Sequence, residues 1–194
     1  MKRELTPDDI LSNEAYEKIR ADKRAAIMAC KKKRRVSVGP YVTFLFENYD
    51  TMWLQVQEML RIEKGGAAQM QDELAAYNPL VPKGNELVAT VMFEIEDAER
   101  RTAVLSALGG VEHKMQIKIG NEAIIGEPER DLEYTSPEGK ASSVLFAHFR
   151  FTPAQIAAFR KPETEVVLAI LHPGYSHMAI LPPDTKRELA EDFN

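Results

Sequence analysis

From Glu86 onward the chain runs through one order twice, strand then helix then hairpin, and any fold it adopts must accommodate that repetition. "LVATVMFEIE" has the composition of a strand, "DAERRTAVLSALGG" reads as a helix entered at Asp97 and closed by glycine, and "HKMQIKIGNEAII" as a hairpin turning at Gly120-Asn121. After a polar loop containing "SPEG", "SSVLFAHFRF" is again a strand, "TPAQIAAF" a helix and "EVVLAILHPGYSHMAIL" a longer hairpin. In the second helix Thr152, Pro153 and Gln155 spell a capping box with proline at the first position. Two such units, 86–126 and 142–182, predict an α+β fold with a mainly antiparallel sheet or a partly closed barrel, helices packed against it.

The first third reads as helical. Thr6 and Pro7 in "LTPDDIL" fit the start of a helix, and Ser12 can cap a longer one in which Tyr16, Ile19, Ala26, Ile27 and Cys30 recur at helical spacing. The helical segment is expected to occupy 1–38, with Lys31 to Arg35 as a solvated helix end. Gly39-Pro40 breaks the chain and "YVTFLFE" reads as a strand. Next, Thr51 can cap a helix with Met52, Val56, Met59 and Leu60 on one face; a strand with Met52, Leu54, Val56, Leu60 and Ile62 aligned is the competing reading of 51–57. Helix formers in "QEMLRIEK" favour the helix, Gly65-Gly66 would end it, and another helix should run from Ala67 to Tyr77 before "NPLVP" stops it. A short helix is expected after Pro182-Pro183.

The whole, 1–194, is long enough for one domain with its own core. At 44% hydrophobic and 28% charged it has the balance of a globular protein, and no apolar run approaches the ~18 residues of a membrane span. The opening "MKRELTPDD" lacks an apolar stretch of the secretory kind, so the cytoplasm is the expected location. One cysteine, Cys30, excludes a disulfide or a multi-cysteine metal site within the chain. A net charge of −5, with no aromatic residues among "KKKRR", argues against nucleic acid as a partner.

No P-loop, dinucleotide fingerprint, nucleophile elbow or HExxH motif occurs, and no cofactor is expected. Two constellations remain. Glu47, ending a strand, and Glu58, on the following helix beside Gln55, could form a carboxylate pair in which one pKa is pushed up for acid/base or metal chemistry; the alternative is a polar junction between strand and helix. In "HPGYSH", a four-residue turn from Pro173 to Ser176 would set His172 and His177 face to face as two ligands of a metal, while Pro173 and Tyr175 would make the same tip a rigid contact element for a partner.

The succession "LFENYDTM", "QVQEMLRIE", "YNPLVP", "ELVATVMFEI" and "HPGY" resembles a bacterial family, domain of unknown function 3501, over nearly the whole chain. The resemblance supplies no catalytic residues. It implies a setting, because members are often encoded beside rubrerythrin-like proteins and iron–sulfur oxidoreductases. The expectation is therefore a non-enzymatic accessory protein of a redox or peroxide-stress system acting on a protein partner. A small enzyme using Glu47, Glu58 and His172 is the alternative, and a homo-oligomer stays open.

Overall fold

In the computed structural model, which describes residues 2–130 and 132–194, the side chain of Ser12 accepts a hydrogen bond from the amide of Ala15 and starts α1 (Asn13–Lys33). Three lysines in the last turn complement the negative end of its dipole. Before it, Asp9 accepts from the amide and hydroxyl of Thr6, which closes a single 3-10 turn, Pro7–Asp9. The expected helical stretch also ends early. The chain leaves α1 at Arg34, and Arg35–Val38 forms β1, which pairs with β2 (Val42–Phe46) across the Gly39-Pro40 turn.

The dense segment that follows is a helix, α2 (Tyr49–Glu63), and not a strand. Its cap is Asn48 and not Thr51: the Asn48 side chain accepts from the amide of Thr51, and the Thr51 hydroxyl accepts from the amide of Asn48. Lys64, in the left-handed conformation, ends it ahead of α3 (Gly66–Tyr77). Then come β3 (Glu86–Phe93), α4 (Ala98–Ser106), β4 (Met115–Ile119) and β5 (Glu122–Pro128), followed by β6 (Val144–Arg150), α5 (Pro153–Arg160), β7 (Val166–His172), β8 (Tyr175–Ile180) and α6 (Pro183–Ala190).

Among the described residues, eight strands lie in one sheet of order β1-β2-β3-β6-β5-β4-β7-β8, and every neighbouring pair is antiparallel. The two edges, β1 and β8, curl round into contact and leave a nearly closed barrel. Alternation sends Val36, Phe44, Leu87, Val91, Ile117, Leu145, Phe149 and Leu168 inward as its core. One end is plugged from α5 and the chain's last residues, where the rings of Phe151, Phe159 and Phe193 meet edge to face at 4.8–5.8 Å.

Outside the barrel, α2 lays Met52, Val56 and Leu60 over Val88 of β3 and Phe146 of β6, and Leu5, Leu74 and Leu80 complete that second core. Helices thus cover one side of the sheet. Among the described residues no helix covers the outer face of β7 and β8, where Leu171, Met178 and Ile180 stand exposed. Among the described residues no helix is long and apolar enough to cross a membrane.

Candidate functional site

The structure does not bring Glu47 and Glu58 together. Glu47, at the end of β2, is 3% exposed and accepts from the Thr90 hydroxyl at 2.6 Å through Oε1, while Oε2 is buried without a partner. Glu58 lies nine residues into α2, about 14 Å further along its axis. It faces α1, where it accepts from the Tyr16 hydroxyl at 2.6 Å, from Arg20 at 2.8 and 2.9 Å and from Arg24 at 3.0 Å. The hydrogen bonds from Arg20, helped by Tyr16 and the two arginine charges, overcome partial burial and hold its pKa down at about 2. A carboxyl so placed is an anchor and not a proton donor at neutral pH. Gln55 joins neither residue; its amide reaches the Tyr77 hydroxyl on α3 at 3.4 Å. The expected single junction is three separate ones.

The tip of β7–β8 also departs from expectation. Pairing runs to His172↔Tyr175, so the turn is Pro173-Gly174 alone and His177 lies opposite Ile170. His172 and His177 share a face but are one pair out of step. Both nitrogens of His172 are engaged as well: Nδ1 accepts from the Gly174 amide at 3.0 Å, and Nε2 donates to the Gly109 carbonyl at 3.2 Å. Neither offers a free lone pair to a metal, and among the described residues no group of three or more His, Cys, Asp or Glu side chains is arranged to hold one. Gly174 is not in the left-handed region. What it provides is room, since an added Cβ would sit 3.0 Å from the Ala107 carbonyl.

Pro173 is exposed at the tip, but Tyr175 is not a contact element. It is buried at 4% exposure, its hydroxyl donates to the Val38 carbonyl at 2.7 Å and accepts from the Tyr41 amide at 3.1 Å, and its ring lies 4.4 Å from that of His177. Gly39 makes this possible. Its φ of +70° suits the turn, and any Cβ there would come within 2.6 Å of the Tyr175 hydroxyl.

Two charged arrangements carry no local signal. Arg34, the fourth residue of the basic run, is not solvated: it is 1% exposed, donates to the carbonyls of Phe46 and Glu47, and ion-pairs with Asp192, which is fully buried. His148 on β6 sits between Glu86 of β3 at 3.3 Å and Glu129 beyond β5 at 2.7 Å. Burial is the largest single influence on its pKa and lowers it, but the hydrogen bonds and charges of Glu86 and Glu129 together outweigh it, and the net direction is upward. The periodicity of β6 puts His148 on the face of Phe146; only the register with β3 and β5 shows what it meets.

The remaining feature is the bare outer face. Since Leu168, Ile170 and Tyr175 point inward, register places Val167, Ala169 and Leu171 of β7 outward beside Ile180, Met178 and Ser176 of β8. Met178 is 67% exposed, Ile180 61% and Leu171 44%. The face continues through Gln116 and Lys118 of β4 to Ile125 of β5, itself 56% exposed. Chemically this surface can bind apolar groups.

A family model described as "Protein of unknown function (DUF3501)" matches residues 4–193. The chain belongs to that family. A crystal structure of a "novel protein of unknown function" from Burkholderia pseudomallei K96243 is similar to this DUF3501 member over 98% of this chain and 99% of its own, with 36% identity and a TM-score of 0.90. No curated protein matches the chain. The family and its fold are thus shown, and the activity is left to the geometry.

Proposed function

We propose that this DUF3501 member is a non-enzymatic accessory protein of a cytoplasmic redox or peroxide-stress system, and that it binds a rubrerythrin-like or iron–sulfur oxidoreductase component through the outer face of β7 and β8. The observation that carries this reading is the grouping of Leu171, Met178 and Ile180 on one uncovered sheet face. Large side chains exposed together on one patch are a recurrent mark of a protein interface, whereas apolar residues exposed singly are ordinary. Lys118 lies on the same face, and Arg35 stands on the exposed side of β1, the strand that β8 meets across the gap. The matching partner presents an apolar patch bordered by carboxylates.

The chain's own thiol supports a division of labour. Burial is the main cause that pushes the Cys30 pKa up, so the thiolate needed for redox chemistry is disfavoured and electron transfer falls to the partner. The test is calorimetric titration of the purified protein with purified rubrerythrin-like and iron–sulfur components of the same organism. One of them is expected to bind at micromolar affinity or tighter, and Met178→Glu/Ile180→Glu should weaken it at least about tenfold with unchanged melting temperature. Failure of both components to bind, or equal binding by the variant, would overturn the proposal. So would self-association of the protein that the same variant abolishes.

A further inference from the structure

We infer that the cleft between α5 and α6 is a binding site for a small organic anion with an apolar body, an acyl or aryl carboxylate or phosphate. The cleft encloses about 380 Å³ and lies at the barrel end opposite the Pro173-Gly174 turn. Phe159, Pro162, Pro183 and Ala190 form its apolar wall, and Arg160, Lys186 and Arg187 line it with positive charge.

The argument turns on Lys186. Its residue is only 8% exposed, and its ammonium donates to the backbone carbonyls of Lys161 and Thr164. Among the described residues it has no carboxylate within 4.0 Å, and neither does Arg160, whose Nη2 donates to the Phe193 carbonyl at 3.0 Å. Arg187 differs, since Asp184 pairs with it. The acids nearby are Glu191, which lines the cleft, and Glu163, which acts on Lys186 only through its charge at longer range. A part-buried ammonium at the end of a largely buried side chain, held by neutral carbonyls alone, keeps an unbalanced charge, and a third N–H that those two carbonyls do not use. An anion in the cleft satisfies both deficits, with the Arg160 guanidinium as a second donor. The apolar wall takes up the rest of the molecule, which is why a bare inorganic anion fits less well.

Burial also lowers the Lys186 pKa, as expected for a cation lacking its counter-charge. The fold explains how such a group persists. Pro183 starts α6 and holds Lys186 against the loop after α5, where the carbonyls of residues 161 and 164 point at it.

The probes are hexanoate, phenyl phosphate, inorganic phosphate and hexanol, titrated into the isotope-labelled full chain while backbone amide shifts are followed. Saturable shifts confined to α5, α6 and the loop between residues 161 and 165 are expected with hexanoate or phenyl phosphate; whichever binds tighter names the head group. Hexanol should give none, and inorganic phosphate should bind at least about tenfold more weakly than the better organic anion. Lys186→Met, which keeps the apolar stem and removes the charge, should weaken that anion at least about tenfold. Should that variant fail to fold, Ala190→Phe, filling the cleft from its apolar side, should abolish the shifts in a protein with native circular dichroism. Absence of saturable shifts with both organic anions would overturn the inference, as would binding unchanged in Lys186→Met or, where that is unfolded, in Ala190→Phe. Equal binding of inorganic phosphate would overturn the apolar-body assignment.

Discussion

The Tyr175 hydroxyl donates to the Val38 carbonyl at 2.7 Å across 137 positions of sequence, and this bond joins the two edges of the sheet. It works as a latch because Tyr175 is the first residue of β8 and Val38 the last of β1, so one side chain spans a gap that no ladder closes. The same oxygen accepts from the Tyr41 amide. Tyr175→Phe removes both and strands two backbone groups.

That substitution is expected to cost about 1–3 kcal/mol in urea unfolding, the range for buried groups left unsatisfied. It should also raise hydrogen exchange at the Tyr41 amide well above that of the interior strands. Stability within a few tenths of a kcal/mol of wild type would show that the edges are held by packing alone.

Glu58 fastens α1 to α2, and the group most exposed to its loss is the hydroxyl of Tyr16, a residue with no solvent exposure. Glu58→Ala leaves that donor buried and unpaired and should cost about 1–3 kcal/mol. Glu58→Gln keeps an acceptor and should cost clearly less. The pH dependence has a definite sign. With its folded pKa near 2, below the ordinary carboxylate value, Glu58 adds stability above about pH 4.3 that is lost as pH falls toward the folded value. Acid unfolding of Glu58→Gln should therefore be less steep than that of wild type, and equal steepness would remove Glu58 from the acid-sensitive set.

What could be read from the sequence was local. Capping at Ser12 and Thr152, the Gly120-Asn121 turn and the strand composition of β3 and β6 are each written within a few residues, and these elements form where the sequence places them. The fold class follows from them. The site did not, because burial at the decisive positions is set from far away. Arg34 looks like one more cation of a solvated run until Asp192, 158 residues on, folds back onto it. Tyr175 sits among turn residues that suggest exposure, and Val38 buries it. The histidines of "HPGYSH" lost their opposition to a turn of two residues in place of four, a shift of one pair that composition does not reveal.

His148 gives a second pH dependence of opposite sense. Its pKa is raised in the folded protein, so the stability it adds is fully present below its unfolded value near 6.5 and is lost as pH rises through the folded value. Glu86 behaves as its mirror: burial, the largest influence, raises its pKa, but His148, the Lys83 amide and Arg150 together bring it below the ordinary value, so its contribution is lost toward acid. The urea midpoint should decline as pH rises above the unfolded value of about 6.5 in wild type, and His148→Gln should flatten that decline. A wild-type midpoint that holds level, or an equal slope in the variant, would mean that the imidazole is not charged in the folded state.

Arg34 and Asp192 make the most severe prediction, because each is the other's main compensation in a buried position. Burial is the largest influence on Asp192 and pushes its pKa up even beside the guanidinium, which shows how much desolvation the pair carries. Arg34→Met leaves a buried carboxylate and two backbone carbonyls without their donor and should cost about 3–5 kcal/mol, measured by urea unfolding. Arg34→Lys should recover little of it, since an ammonium cannot reproduce the planar fork that serves Phe46, Glu47 and Asp192 at once. Arg34→Met/Asp192→Leu removes both charges and should be less destabilised than Arg34→Met alone, the sign expected when an isolated buried charge and not the missing pair is the dominant cost. Additive costs in that cycle would show that the two side chains act independently, and that the C-terminal segment is held by the Phe151, Phe159 and Phe193 cluster without help from the ion pair.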